Sequence, residues 1–246
     1  MSLHQNVADA TLRIECGDSR GSGFHLITPD LIISNYHVVN GFHTSGSPIN
    51  GITEKGNSIG LELVGYSPIE EYDFAILRTE EDIPESQKTL SPIIVDDFQK
   101  GMDILFSGFP HGIPHLLVQD AIISGQISED IFYIDGSVNG GNSGGPIINQ
   151  DDGSVIGIVT QRRFLGSQDL ENLSKSANEL RKHCQIIAGR GSVQIMGIDF
   201  GRFSQLMAEA MILIQDVIQA NANTGIGIGY SIKHVLEECE ELGIIT

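Results

Sequence analysis

Cysteine is scarce in this chain, and its scarcity excludes two common kinds of stabilisation. The 246 residues include three cysteines, Cys16, Cys184 and Cys239. They are odd in number, far apart and without CxxC spacing, so neither a disulfide framework nor a zinc site is indicated. We expect reduced, structural thiols, which suit a cytoplasmic protein.

Long hydrophobic runs are also missing. No segment approaches eighteen consecutive apolar residues, and the first twenty residues contain no basic stretch followed by an unbroken apolar run. We therefore expect neither a membrane span nor a signal peptide. Hydrophobic residues still make up 40% of the chain, which is enough for a substantial core.

Positive charge is in short supply. The chain has 14 Lys and Arg against 32 Asp and Glu, a formal net charge of −18. Binding a nucleic-acid backbone requires clustered Lys and Arg, so we expect no nucleic-acid partner. Acidic residues around a cleft would favour basic or neutral peptides over acidic ones.

The first two thirds of the chain are rich in strand signals. From residue 11 to about 160, short apolar or alternating runs are separated by turn residues. The clearest hairpin has Asp152-Gly153 at its turn. This spacing predicts a β-sandwich or a β-barrel.

After about residue 165 the periodicity becomes helical. Apolar residues recur every three or four positions over 168–184 and 202–221, which predicts two helices. We expect a strand between them at 191–199, a glycine-rich strand at 224–232, and a short terminal helix. Because no linker is visible, one β domain with a helical insertion is favoured over two domains.

Residues 141–146, Gly-Asn-Ser-Gly-Gly-Pro, suit neither a helix nor a strand, because glycine loses much backbone entropy on folding. Alone, they fit an incidental turn or a backbone that aims the Ser143 hydroxyl and nearby amides at a substrate. A serine nucleophile needs a base, and the base works best beside a buried carboxylate. His37 at the end of "LIISNYHVV" and Asp73 before "FAILR" are candidates, although each alone is more often a strand-end residue.

The order His37, Asp73, Ser143 resembles that of the trypsin-like (chymotrypsin-fold) serine peptidases. The resemblance is closest to the HtrA/Deg-like branch, without its usual PDZ domain. It covers about residues 10–162 and 224–240, and it is carried by "GSGFHLITPDLIISNYHVV", "EYDFAILR", "GNSGGPIIN" and "GIGIGYSIKHVL".

The resemblance implies a mainly β fold of the double β-barrel type within a single domain. An N-terminal barrel would span about 10–100 and a C-terminal barrel about 101–232. The second barrel would carry the helical insertion at about 165–222, and a C-terminal helix would follow at about 232–242.

The resemblance also implies a serine endopeptidase site. Ser143 would attack the substrate, His37 would transfer the proton and Asp73 would orient His37. Gly141, Asn142 and Ser143 would form the oxyanion hole, with the Gly141 and Ser143 amides as donors and Asn142 shaping the turn. No metal or other cofactor is implied. The partner would be a protein or peptide substrate, and a silent or latent peptide-binding protein of the same fold is the alternative.

Substrate specificity is implied by two further segments. Ser137 would lie at the base of the specificity pocket, and because it is not an acid we expect a small or medium apolar residue before the scissile bond. The glycines of "GIGIG" would let a substrate strand pair with an edge of the protein. The implied substrate-binding residues are Ser137, Asn139, Gly140, Gly225, Ile226, Gly227 and Ile228.

Two other patterns compete for function. Residues 141–145 also satisfy GxSxG, the nucleophile elbow of α/β-hydrolase esterases, for which Asp199 and His234 would be the partners. That elbow requires a helix directly after the serine, whereas glycines, a proline and a hairpin pattern follow here. His111 and His115 are four residues apart, but the prolines around them prevent the shared helical face that would bind a metal.

The helical insertion has no counterpart in the resemblance. Its apolar stripe over 203–218 is most simply core packing. Ile212 and Leu213 widen the stripe beyond one face. A homo-oligomer contact or a regulatory partner is therefore the second interpretation.

Overall fold

The computed structural model describes residues 2–79, 81–83, 86–162, 168–189, 191, 193–221 and 225–245. In chain order the elements are α1 (Leu3–Ala10), β1 (Thr11–Cys16), β2 (Ser19–His25), β3 (Leu31–Ser34), α2 (Tyr36–Val39), α3 (Gly41–Ser45), β4 (Ile49–Ile52), β5 (Ser58–Tyr66), β6 (Ala75–Arg78), β7 (Asp103–Gly108), β8 (Leu117–Ser128), β9 (Ile131–Asp135), β10 (Pro146–Asn149), β11 (Val155–Arg162), α4 (Gln168–Gly189), β12 (Gln194–Ile195), β13 (Ile198–Asp199), α5 (Phe200–Asn221), β14 (Ile226–Ser231) and α6 (Lys233–Glu241).

Six antiparallel strands close the first barrel in the order β1-β2-β3-β6-β5-β4. In β1, Arg13 and Glu15 are half-buried while Leu12 and Ile14 are buried, as the two-residue period of a strand requires. Closure leaves no sheet edge and encloses an aliphatic interior that includes Leu12, Ile14 and Leu77.

The second barrel also has six antiparallel strands, in the order β10-β11-β14-β9-β8-β7. The expected hairpin joins β10 and β11, and Gly153 at its turn has a φ of 77°, in the left-handed region that favours glycine. The barrel interior is filled by Phe106, Phe132 and Ile134, with other buried apolar side chains. The predicted double β-barrel is confirmed.

A third cluster of buried side chains packs between the two barrels. Phe24 of the first barrel and Leu105 of the second belong to it, together with Val7 of α1 and Val235 of α6. Burying a side chain of this size stabilises the fold by about 1.5–3 kcal/mol. The shared core therefore fixes the two barrels against each other.

The N-terminal helix α1 was not expected from apolar periodicity. Ser2 caps it by accepting a hydrogen bond from the Gln5 N–H at 3.3 Å. A serine followed three residues later by glutamine is the sequence signal for this start.

The helical insertion is a compact unit of its own, residues 163–224. Within it α4 and α5 occupy the places where helices were expected, and residues 163–167 and 222–224 lie outside the described residues. The single strand expected at 191–199 is wrong. The chain reverses at Met196 and Gly197, whose φ values of 52° and 83° make a tight turn between β12 and β13. No described helix is long and apolar enough to cross a membrane.

Candidate active site

His37 lies on the short helix α2, directly after the buried strand β3. The sequence predicted a strand end at this position, but β3 stops at Ser34. Asn35 then turns the chain by donating its side-chain N–H to the Asp73 carbonyl at 2.6 Å and to Thr160 Oγ1 at 3.2 Å. The helix therefore depends on contacts from distant parts of the chain, which apolar periodicity does not report.

Asp73 is buried and receives two hydrogen bonds from His37. The His37 backbone N–H donates to Oδ1 at 2.9 Å, and Nδ1 of its ring donates to Oδ2 at 2.6 Å. The side chain of Asp73 is 1% exposed, whereas that of His37 is 34% exposed. Because an ionised carboxylate only accepts, it fixes the proton on Nδ1 and leaves Nε2 as the acceptor.

The backbone and charge of Asp73 also set it apart. Its φ of 47° is in the left-handed region, which Asp tolerates better than most residues with a Cβ. Burial raises the pKa of Tyr230 on β14, and the negative charge of Asp73 raises it further. Asp73 thus places a negative charge inside the protein, directly behind His37.

Ser143 lies in the loop before β10, and its carbonyl is held by the first barrel. The Ser22 N–H donates to the Ser143 carbonyl at 2.8 Å. The Ser143 hydroxyl donates to the Thr160 carbonyl at 3.1 Å. Among the described residues no hydrogen bond joins the hydroxyl to His37.

The backbone before Ser143 is oriented by a neighbouring loop. The His111 N–H donates to the Gly140 carbonyl at 2.7 Å. In a trans peptide the N–H points opposite to the C=O, so the Gly141 N–H is directed away from His111. Neither the Gly141 nor the Ser143 N–H has a hydrogen-bond partner within the described part of the chain. Two free amides therefore flank the nucleophile candidate, as an oxyanion hole requires.

Ser22 is a site residue that the sequence reasoning missed. It is fully buried, donates its hydroxyl to the Gly141 carbonyl at 2.7 Å and accepts from the Phe109 N–H at 2.9 Å. It thereby joins the first barrel, the loop after β7 and the glycine loop. The only local signal is a serine between two glycines in "GSGF".

Asn142 shapes the turn but offers no donor to the hole. Its N–H donates to the Asn139 carbonyl, and its carbonyl accepts from the Gly145 N–H, both at 3.0 Å. Its side chain is buried, and neither polar atom of that side chain has a hydrogen-bond partner within the described residues. The prediction that Asn142 is a component of the oxyanion hole is therefore wrong. Asn142 instead supports the backbone turn that carries the hole.

An open cleft of about 960 Å³ lies beside these groups. His37, Gly141 and Ser143 line it, and of the predicted specificity residues Gly140 lines it as well. The other lining residues are Arg13, Glu15, Asp18, Ser19, Arg20, Val38, Phe109, Pro110, His111, Gly112, Ile113 and Pro114. The remaining predicted specificity residues are not part of its lining.

The two predicted specificity segments lie close together. Gly227 faces Val138 so closely that a Cβ at residue 227 would overlap the valine side chain. Ser137 is exposed, and its carbonyl accepts a hydrogen bond from the Asn139 side chain at 3.0 Å. The second segment, 225–228, leads into and forms the start of β14.

The expectation that a substrate strand pairs with "GIGIG" is wrong. Strand β14 is hydrogen-bonded to β11 on one side and to β9 on the other, so it has no free edge. The glycine at 227 instead permits close packing on Val138. The free edge belongs to the end of β11. The pairing of β11 with β10 ends at Ile158, so residues 160–162 have a strand partner only in β14 among the described residues.

The chain after Ser143 does not have the structure that a hydrolase elbow requires. Ser143 is followed by a turn and by strand β10, so the helix of a hydrolase elbow is absent. His234 lies on α6, stacked on Tyr72 at 3.5 Å, and Asp199 belongs to the insertion unit. His111 lies in the cleft, His115 is exposed, and no group of three or more potential metal ligands is found in the described ranges.

This arrangement defines the class of protein: two antiparallel barrels with a histidine–aspartate pair, a serine and free amides at one cleft. The sequence model of the family described as "Trypsin-like peptidase domain" matches residues 21–158, which are more than half of the chain. The chain belongs to the trypsin-like peptidase domain family, whose HtrA/Deg branch consists of serine-type endopeptidases.

Curated relatives match over the same part of the chain. Protease Do-like 1, chloroplastic, from Arabidopsis thaliana is 28% identical over 158 residues, which are 60% of this chain and 34% of that protein. A probable periplasmic serine endoprotease DegP-like from Halomonas elongata is 32% identical over 149 residues, 58% of this chain and 29% of that protein. The chain thus spans about a third of the length of these relatives.

Solved structures show the same fold. An inactive serine-to-alanine mutant of Rv3671c from M. tuberculosis H37Rv gives a TM-score of 0.60 at 17% identity, covering 99% of this chain and 91% of that chain. Deg5 gives a TM-score of 0.55 at 26% identity, covering 64% of this chain and 82% of that chain.

Proposed function

We propose that this protein hydrolyses peptide bonds with Ser143 as the nucleophile. Ser143 Oγ attacks the scissile carbonyl carbon while its proton passes to His37 Nε2. The carbonyl oxygen becomes an oxyanion that accepts hydrogen bonds from the Gly141 and Ser143 amides. His37 then gives the proton to the leaving amine, the C–N bond breaks, and an ester to Ser143 is left.

Water then hydrolyses the ester, with His37 acting first as a base and then as an acid. His37 Nε2 takes a proton from the attacking water, and the ester bond to Ser143 breaks with return of that proton to Oγ. Asp73 stays ionised and stabilises the positive charge that forms on His37 in each half. The observation that carries this proposal is the buried Asp73 carboxylate accepting both N–H groups of His37.

The proposed substrate is a protein or peptide cut at internal bonds. The free edge of β11 at residues 160–162 offers backbone groups to an extended acyl segment. We infer a small or medium apolar residue before the scissile bond, because Val138 and Ser137 bring no negative charge to the specificity segment. A peptide library dominated by Arg or Lys at that position would contradict this preference.

Labelling with a fluorophosphonate probe tests the nucleophile. The native protein should be labelled, Ser143→Ala should not be, and His37→Ala should slow labelling by about 10³-fold or more. His234→Ala is the control, because His234 would be the base only in a hydrolase elbow. Absence of labelling in the folded native protein would contradict the proposal.

A latent peptide-binding protein is the second candidate function, favoured by one observation. The Ser143 hydroxyl donates to the Thr160 carbonyl and not to His37. A protein held in this state would bind peptides without cutting them. Binding of a fluorescent peptide at equal affinity to native and Ser143→Ala protein, with no labelling of either, would identify it.

The compartment and partners are proposals as well. All three cysteines are free and buried, which supports a reducing compartment such as the cytoplasm. The named relatives are described as chloroplastic and periplasmic, so cell fractionation is the direct test. We also propose that the insertion unit contacts a second copy or a regulatory partner, which its deletion and light scattering would test.

A further inference from the structure

The cleft lies on one side of Ser143. Besides His37, Val38, Gly140, Gly141 and Ser143, its lining comes from the hairpin of β1 and β2 and from the loop 109–114, and it includes no residue of β11 or β14. A substrate whose acyl half pairs with the free edge of β11 therefore places its leaving-group half in this cleft. This assignment of the two halves rests on the proposed function.

Two arginines of the hairpin share one carboxylate in the cleft. Arg13 Nε lies 3.0 Å and Arg20 Nε lies 3.5 Å from Glu15 Oε1. Arg13 and Glu15 are two residues apart on β1, and Arg20 is paired with Glu15 across the strands, so all three side chains leave the same face of the hairpin.

The guanidinium groups retain unused hydrogen-bond donors. Neither the Arg13 nor the Arg20 side chain donates a hydrogen bond to a residue in the described ranges, and Arg13 Nε is buried without one although it lies near Glu15. The Arg13 guanidinium also lies 5.9 Å from the centre of the Phe109 ring, which limits its freedom. Two partly oriented cations with free N–H groups therefore face the cleft.

The local charge differs from that of the whole chain. The chain carries a net charge of −18, but two guanidinium groups balance the two carboxylates in the cleft lining, Glu15 and Asp18. Glu15 is already paired with both arginines. Asp18 is exposed at the turn of the hairpin, on the side of Arg20 away from Ser22. The group formed by Arg13, Glu15 and Arg20 therefore carries one more positive than negative charge.

We propose that Arg13 and Arg20 bind a carboxylate on the leaving-group side of the scissile bond. Guanidinium groups recognise carboxylates by charge-assisted hydrogen bonds. The carboxylate is either a Glu or Asp side chain or the C-terminus of a short substrate. The acidic net charge suggested the opposite preference, and the local arrangement of the cleft overrides it.

The spacing along β2 sets the position of this carboxylate. Ser22 contacts the Gly141 carbonyl and thus marks the oxyanion loop. Arg20 lies two residues before Ser22 on the same strand, so the two residues are about 7 Å apart at a rise of about 3.3 Å per residue. Arg13 is paired with Ser22 across the hairpin. An extended substrate covers a similar distance in two residues, so the second residue after the scissile bond (P2′) is the one recognised.

Matched quenched peptides test the proposal. Two peptides differ only by Glu or Gln at P2′, and two shorter ones end at P2′ as an acid or an amide, which separates a side-chain carboxylate from a terminal one. In at least one pair, we expect the peptide with the carboxylate to have a kcat/KM about 5-fold higher than its partner. This ratio should fall towards 1 in the double variant Arg13→Gln/Arg20→Gln and at high salt. Arg78→Gln, which loses a cation paired with Asp30 outside the cleft, should keep the preference.

The outcomes separate this inference from the proposed function. If the probe labels Ser143 but neither peptide pair shows a preference, or if the double variant keeps it, the carboxylate site is wrong and the peptidase stands. If the probe does not label the folded protein, the peptidase proposal fails. Fluorescence anisotropy of the Glu and Gln peptides then still tests the site, which requires tighter binding of Glu that is lost in the double variant.

Discussion

The two barrels share a strand count and a topology, but they contribute different chemistry to the cleft. The first barrel contributes side chains, since His37 and Asp73 are held by side-chain hydrogen bonds. The second contributes backbone, since the Gly141 and Ser143 amides are its reactive groups beside the Ser143 hydroxyl. Functional side chains can be replaced singly, whereas a functional backbone depends on every contact that orients it.

Those backbone contacts cross between the barrels. Ser22 of the first barrel fixes the carbonyls of Gly141 and Ser143, which belong to the second. Neither barrel therefore forms the site alone. Four changes separate the contribution of each barrel, and they run from the largest expected effect to the smallest.

Asp73→Asn tests the side-chain half. An amide at this position presents N–H towards the Nδ1 side of His37 and favours the wrong tautomer, so we expect kcat to fall by about 10⁴-fold with the fold intact. Peptide hydrolysis measures this loss. Asp30→Asn, a surface change in the same barrel, should have no such effect, and a loss below tenfold in Asp73→Asn would show that His37 does not depend on the carboxylate.

Gly144→Ala tests the fit of the second barrel's loop against the first barrel. Residue 144 has a φ of 87°, and a Cβ there would overlap the Ser22 carbonyl oxygen. We expect a loss of about 2–4 kcal/mol in the free energy of unfolding, measured with urea. Gly46→Ala is the matched control, with a φ of 67° and open space around it, and should cost about 1–2 kcal/mol. Equal losses would mean that the contact between barrels is not tight.

Ser22→Ala tests the support of the oxyanion hole. Loss of the hydroxyl leaves the Gly141 carbonyl and the Phe109 N–H without their partner, so the backbone of Gly141, whose N–H is a proposed donor of the oxyanion hole, is held less firmly. We expect kcat to fall by about 10-fold with KM changed less than about twofold. Ser58→Ala, at an exposed strand start, is the control. A rise in KM alone would assign Ser22 to substrate binding.

The reactivity of the thiols is the smallest of the expected effects. Cys16 reports on the interior of the first barrel, and Cys239 reports on the core between the barrels. Burial raises the pKa of Cys16, and it raises that of Cys239 to about 11. At pH 8 only about 0.1% of Cys239 is then thiolate, so native protein should resist iodoacetamide while urea-unfolded protein reacts. Mass spectrometry measures both. Fast alkylation of the native protein would show that the interbarrel core opens readily.

The raised pKa of Cys239 makes the free energy of unfolding depend on pH. A folded-state pKa above the unfolded value means that the folded state holds the proton more tightly. Cys239 therefore contributes its full stability below the ordinary thiol pKa of about 9, and that contribution declines as pH rises towards 11. Cys239→Ser should reduce this part of the alkaline loss.

Local patterns predicted much of the fold. Short apolar or alternating runs predicted the strands of both barrels except β4, Asp152-Gly153 predicted the β10–β11 hairpin, and periodicity predicted α4 and α5. The strand expected at 191–199 was a hairpin, because Met196 and Gly197 both adopt positive φ. The pattern of apolar residues is the same for one strand and for two short strands joined by a turn.

The sequence by itself determined the types and order of the reacting groups: a histidine, an acid and a serine among glycines, each beside a strand of a β-rich chain. Tertiary structure alone decided which backbone groups are free. Within the described residues it closed β14 on both sides, left the end of β11 with a strand partner on one side, and brought Ser22 to the glycine loop from more than a hundred residues away. Side-chain chemistry is encoded residue by residue, whereas the freedom of an amide or a strand edge depends on what the rest of the chain places against it.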